Sequence, residues 1–206
     1  MTRRVMRSRH NSHKFPENGL LTDRPNWENK LDFRKHEKNK IMRAVELARN
    51  LKDAKAVPAL FNLLKDTESD LSREEDDKVN QAIIAIGESA IPFLMSKIKE
   101  EKIDLYGILA AKFVIIINRE HNLEDDNAEI AYNLLIDILR TEPYESEILN
   151  YVIETFYNCL DIRAIEPLKD RLKKDRDLWE IIKPVLIKLG VPEEEASSLV
   201  DSLFSY

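Results

Sequence analysis

From Glu37 onward, apolar residues recur at steps of three and four, with charged and polar residues between them. That period belongs to helices that bury one face. Ile41, Ala44, Val45, Ala48 and Leu51 form the first stripe, and Asp53-Ala54-Lys55 closes it. Val57, Leu60, Phe61 and Leu64 form the second, with Pro58 in the first turn, where its missing N–H costs little. The same four-position register predicts helices carrying Ile91, Leu94, Met95 and Ile98, then Ala131, Leu134, Leu135 and Ile138. It continues through Ile165, Leu168, Lys169 and Leu172 to Ala196, Leu199, Val200 and Leu203. The starting positions 57, 91, 131, 165 and 196 lie 34, 40, 34 and 31 apart. Lys169 alone breaks the apolar rule, and a lysine buries its stem while its ammonium stays wet.

A partner helix precedes each of these. Val79, Ala82, Ile83 and Ile86 run to Gly87, a helix stop. Leu109, Phe113 and Ile116 mark the next, and Ile148, Val152, Phe156 and Cys159 the one after. Leu178, Ile182, Val185, Leu186 and Leu189 precede Gly190, with Pro184 expected to kink that helix. A two-helix unit cannot bury both faces alone, but a stack of them can. The expected fold is therefore all-α: an α-solenoid of about five stacked antiparallel helix pairs over residues 37–206, preceded by a basic arm over 1–36.

Three stretches give this periodicity a family likeness. Ala56-Val57-Pro58-Ala59-Leu60, Ala90-Ile91-Pro92-Phe93-Leu94 and Ala164-Ile165-Glu166-Pro167-Leu168 each open a Leu- and Lys-rich helix. They resemble the second helices of HEAT repeats, most closely the short HEAT-like repeats also found in phycobilisome lyases. The likeness covers about four-fifths of the chain. It departs from the family where an Asp and Arg pair often links successive units, and in a long connection over 118–127. The resemblance implies an α-solenoid that binds other macromolecules, without saying which.

Composition narrows the function. The 206 residues are 34% charged with 4 Gly and 8 Pro, which favours helices over a turn-rich β protein. Phe113-Val114-Ile115-Ile116-Ile117 is the longest apolar run, too short to span a bilayer, so no membrane insertion is expected. Cys159 is the sole cysteine, which rules out an internal disulfide and suits a reducing, cytoplasmic setting. Residues 1–40 carry 11 Lys/Arg against 5 Asp/Glu, about +6, which leaves about −12 for the remainder. An acidic repeat region makes a poor clamp for nucleic acid, as a HEAT-like DNA glycosylase would need. The arm's Arg3, Arg4, Arg7 and Arg9 suit an acidic partner instead, and they have little apolar face to insert into lipid. Trp27, Leu31 and Phe33 give the 25–36 segment the apolar side chains to cap the first repeat.

No stretch specifies catalysis. Glu74-Glu75-Asp76-Asp77 and Glu124-Asp125-Asp126 read as carboxylates favoured at helix starts, and the second lacks the turn glycine of a calcium loop. His36-Glu37 is one such pair, where deoxyhypusine hydroxylase, a HEAT-like iron enzyme, uses several. Cys159 falls on an apolar face as a small core residue. No metal and no cofactor is therefore expected. The leading expectation is a non-catalytic scaffold that binds a protein partner on its concave face. Phe93, Ser96 and Lys97, then Asn133, Ile136 and Asp137, then Asp170 and Arg171 should line that face, with Phe93 and Ile136 as its apolar anchors. The alternative for both anchors is burial against the adjoining unit. The rival function is an enzyme or subunit of the chromophore-lyase kind. At the C-terminus, Leu199, Val200, Leu203, Phe204 and Tyr206 are more apolar than a bare cap needs, so either Phe204 and Tyr206 fold back on the last unit or this end meets a partner or a second copy of the chain.

Overall fold

The computed structural model describes residues 38–65, 71–99, 104–123, 125–143 and 146–204. The arm over 1–36, with its four arginines and the capping segment, lies outside these residues, as do Tyr206 and the side chain of Phe204. Among the described residues the chain is helical and holds no strand. The helices are α1 (Lys38–Leu51), α2 (Val57–Lys65), α3 (Arg73–Ile86), α4 (Ile91–Ile98) and α5 (Leu105–His121). They continue as α6 (Asn127–Thr141), α7 (Glu147–Cys159), α8 (Ile165–Lys174), α9 (Trp179–Lys188) and α10 (Glu193–Phe204). The break after α5 is shorter than the sequence suggests, because α5 runs on to His121.

The recurring Ala-Val and Ala-Ile dipeptides have a common structural cause. Ala56, Ala90 and Ala164 each end a short 3-10 turn that feeds α2, α4 or α8, and all three are fully buried. A methyl is the largest group that such a closed corner holds without displacing its neighbours. Two of these corners are locked alike. Asp53 accepts a hydrogen bond from the Lys55 backbone N–H at 3.0 Å, and Asp161 from that of Arg163 at 3.0 Å.

Packing links helices two apart as well as neighbours. α1 meets α3, α3 meets α5, α5 meets α7 and α7 meets α9; α4 meets α6, and α6 meets α8. The stripes of α1 and α3 are buried as the pattern predicts, except that Leu51, at the end of α1, is 57% exposed. In α2, Leu63 is buried and Leu64 only half-buried. In α6, Leu134 is half-buried, while Tyr132, Ile136 and Leu139 join Ala131, Leu135 and Ile138 inside. The reason is that α6 touches α4, α5, α7 and α8, so more than one stripe is covered. α5 is the extreme case, buried almost continuously from Gly107 to Ile117. Phe61 of α2 meets Phe93 of α4 and Phe113 of α5 edge-on, with ring centroids 5.7 and 6.5 Å apart. At the other end, Leu199, Val200 and Leu203 of α10 lie half-buried against the core.

Several helix ends are closed by other helices. The last carbonyls of a helix have no acceptor role within it and need outside donors. Tyr106 of α5 donates its hydroxyl to the Lys65 carbonyl at 3.2 Å, and Nε2–H of His121 donates to that of Ile84 at 3.0 Å. Arg119 donates to the Cys159 carbonyl, and Arg171 to that of Leu139 at 2.9 Å. The ends of α2, α3, α7 and α6 are thus each held by a side chain from elsewhere in the fold.

Gly87 sits under one of these closures. Its φ of +73° belongs to a region that side chains avoid, and a Cβ there would lie 3.0 Å from the His121 ring. Gly87→Ala should cost about 1–3 kcal/mol from strain alone, with an added penalty for moving the imidazole. Gly190 also has a positive φ of +100° but open space around it. Urea unfolding should therefore rank Gly87→Ala as the more damaging; equal losses would mean that the imidazole contact contributes nothing.

The stretch Arg73–Ile98 is long and apolar enough to cross a membrane, and Gly87 divides it into α3 and α4. Within that stretch the apolar side chains of Val79, Ile83 and Leu94 are buried inside the protein. Its acidic start is a cap. Ser72 accepts from the Glu75 backbone N–H, and Glu75 accepts from that of Ser72 at 2.7 Å. Lys38 adds an ion pair to Glu75 at 2.9 Å. The Ser72 N–H, and then the Lys38 ammonium, hold the Glu75 carboxyl at about 2 instead of 4.5. A depressed carboxyl contributes stability that is whole above its unfolded value and is lost as pH falls through its folded value. The wild type should therefore lose stability relative to Glu75→Gln as pH drops from about 4.5 toward about 2. Parallel urea midpoints for the two proteins across that range would refute it.

Candidate functional site

The residues expected on a binding face divide into two groups. Ser96, Asn133, Asp137 and Asp170 are exposed, and Lys97 is half-buried with its ammonium 5.8 Å from the Phe93 ring. Phe93 is half-buried against Phe61, so only part of its ring faces out. Ile136 is 5% exposed and Arg171 4%, so neither is the solvent-facing contact that the register implies. Ile136 belongs to the broad buried face of α6. Arg171 is inside because two acceptors meet it there, the Leu139 carbonyl at 2.9 Å and Asp175 at 2.8 Å.

That arginine defines the seam between α6 and α8. At the start of the seam, Arg163 bonds Asp161 and Glu129 and lies 4.0 Å over the Tyr132 ring. Its hydrogen bonds to Asp161 raise its already high pKa, and burial pushes the Tyr132 hydroxyl up to about 12. At the far end Arg171 reaches Leu139. Start meets start and end meets end, so α6 and α8 run in the same direction. Between their ends lies a cavity of about 160 Å³ lined by Leu139, Arg140, Pro167, Asp170, Arg171 and Lys174. Arg140 and Lys174 were not singled out in the sequence. They are 34 residues apart, the spacing of the stripe starts at 131 and 165, so a position-by-position alignment of the units would have found them.

A second, more apolar groove of about 400 Å³ opens between α7 and α9. Asn150, Ile153, Glu154, Tyr157, Ile181, Pro184 and Val185 line it. Lys188 lies 4.9 Å from the Tyr157 ring at its edge. Neither cavity contains a nucleophile with an adjacent base. Cys159 is buried, its thiol pushed up to about 12 by desolvation, and its Sγ lies 4.0 Å from the Lys112 carbonyl. Asp125 accepts from the Asn127 backbone N–H at 2.9 Å and from Asn118 at 2.8 Å, which makes it a lock on the start of α6. Among the described residues, no group of three or more His, Cys, Asp or Glu is placed to hold a metal ion. The His36-Glu37 pair lies outside them.

Comparison with protein-family models, with curated proteins and with solved structures finds no match to this chain.

Proposed function

We propose that the chain is a non-catalytic α-solenoid of HEAT-like repeats that holds a protein partner on the face formed by α4, α6 and α8. The observation that carries this reading is the packing of helices two apart, α1 to α9 in one series and α4 to α8 in the other. Stacked helix pairs produce that pattern, and a stack presents one series as an extended surface. The parallel course of α6 and α8 and the three buried-alanine corners support the same reading. On this surface Ser96, Asn133, Asp137 and Asp170 stand exposed and polar, around the half-buried ring of Phe93.

Photo-crosslinking in a native extract tests the proposal. The double substitution Asn133→Arg and Asp137→Arg should abolish capture of the partner. The pair Glu154→Arg and Glu180→Arg, exposed on α7 and α9, should leave it intact. Loss of capture with the second pair and not the first would move the binding face to the opposite side. Repeating the capture with residues 1–36 deleted separates the contribution of Arg3, Arg4, Arg7 and Arg9.

A further inference from the structure

We propose that the cavity at the end of the α6–α8 seam is an oxyanion pocket, which takes a carboxylate or phosphate group presented by the protein partner. The proposal rests on the reading of this side as the partner-binding face and gives that partner its chemistry. Three cations line the cavity, Arg140, Arg171 and Lys174. The Arg171 side chain is 3% exposed. Its two terminal nitrogens are engaged by Leu139 and Asp175, while Nε is buried with no acceptor at all. A buried N–H without an acceptor is a standing cost, and a shift of the Arg171 side chain toward an oxygen in the cavity would remove it.

The surroundings favour an anion over other occupants. Asp175 is committed to Arg171 at 2.8 Å, and Asp170, the cavity's own carboxylate, to Lys173 at 2.9 Å. The Leu139 carbonyl is already satisfied by Arg171. Arg140 and Lys174 form no ion pair among the described residues, and both are exposed at the rim. The pocket is therefore locally positive on a repeat region that carries about −12. About 160 Å³ is room for one oxyanion and not for a large ring. A guanidinium offers planar, directed donors and the lysine a movable point charge, a combination suited to carboxylate and phosphate alike.

Nuclear magnetic resonance on the full-length, nitrogen-labelled chain reads the pocket directly. The Arg171 Nε–H signal, assigned by its loss in Arg171→Lys, is followed during titration with inorganic phosphate and, separately, with a hexaglutamate peptide. Low ionic strength keeps the rim charges unscreened. A saturable shift of that signal is expected with at least one ligand; phosphate alone points to a phosphorylated partner, the peptide alone to an acidic one. Arg140→Gln with Lys174→Gln, both at exposed positions, should keep the helical circular dichroism and weaken binding about tenfold or more. No saturable shift with either ligand, or unchanged affinity in the double variant, overturns the pocket. Partner capture that depends on Asn133 and Asp137 but ignores Arg140 and Lys174 also overturns it, while leaving the binding face in place. Failure of capture to depend on Asn133 and Asp137, with the shift intact, removes the face instead.

Discussion

Replacing Phe113 with alanine should cost about 3–5 kcal/mol of stability. Its ring is fully buried, in the helix that touches α3, α4, α6 and α7, and meets Phe61 edge-on. The surroundings of a fully buried ring relax only in part when it is removed, so a cavity remains. A typical domain holds only about 5–15 kcal/mol in all, so Phe113→Leu, with a smaller expected loss, serves as a second variant. Leu134→Ala, at a half-buried position on α6, should cost clearly less, and Asn62→Ala, exposed on α2, less than about 0.5 kcal/mol. Urea unfolding orders the series; equal losses at Phe113 and Leu134 would contradict the packing.

Removing Arg171 is expected to be nearly as damaging, for a different reason. Arg171→Ala should cost on the order of 3 kcal/mol, because it strips the partner from a carboxylate and from a helix-end carbonyl together. The Leu139 carbonyl and Asp175 both lose the donors that Arg171 gives them. Arg171→Lys should recover only part of the loss, since one ammonium cannot reproduce the two directed bonds of the guanidinium. Asp175→Asn should cost less than Arg171→Ala, as the Asp175 side chain is 24% exposed and partly solvated. A double-mutant cycle across Arg171 and Asp175 measures the coupling, and a value near zero would show the pair to be incidental.

Helix positions were legible because each element announces itself locally. The expected starts at 57, 91 and 165 coincide with the starts of α2, α4 and α8, where the 3-10 corner and the alanine repeat. Gly87 and Gly190 end their helices with positive φ, as the stop signals implied. Faces were less legible. A four-position stripe describes a helix with one neighbour, and α6 has four, so Ile136 and Leu139 are covered as well. Lys169 fits the expected compromise, with its ammonium between Glu166 and Glu195 at 3.2 and 2.9 Å. Arg171 was hidden for a physical reason: a charge reads as solvated until its acceptors are known. One of those acceptors is a backbone carbonyl on a different helix, which no side-chain pattern reveals.

The borrowed donors at the ends of α2, α3, α6 and α7 also bear on how the chain responds to tension. A helix pulled from its C-terminus ordinarily frays one turn at a time, because its last bonds are its weakest. Here Tyr106, His121, Arg171 and Arg119 clasp those ends from other helices. A load applied across the molecule must break a clasp before the helix behind it can unwind. Once a clasp opens, two helices lose support together. Extension should therefore proceed in steps of at least a helix pair, like a ladder failing by whole rungs.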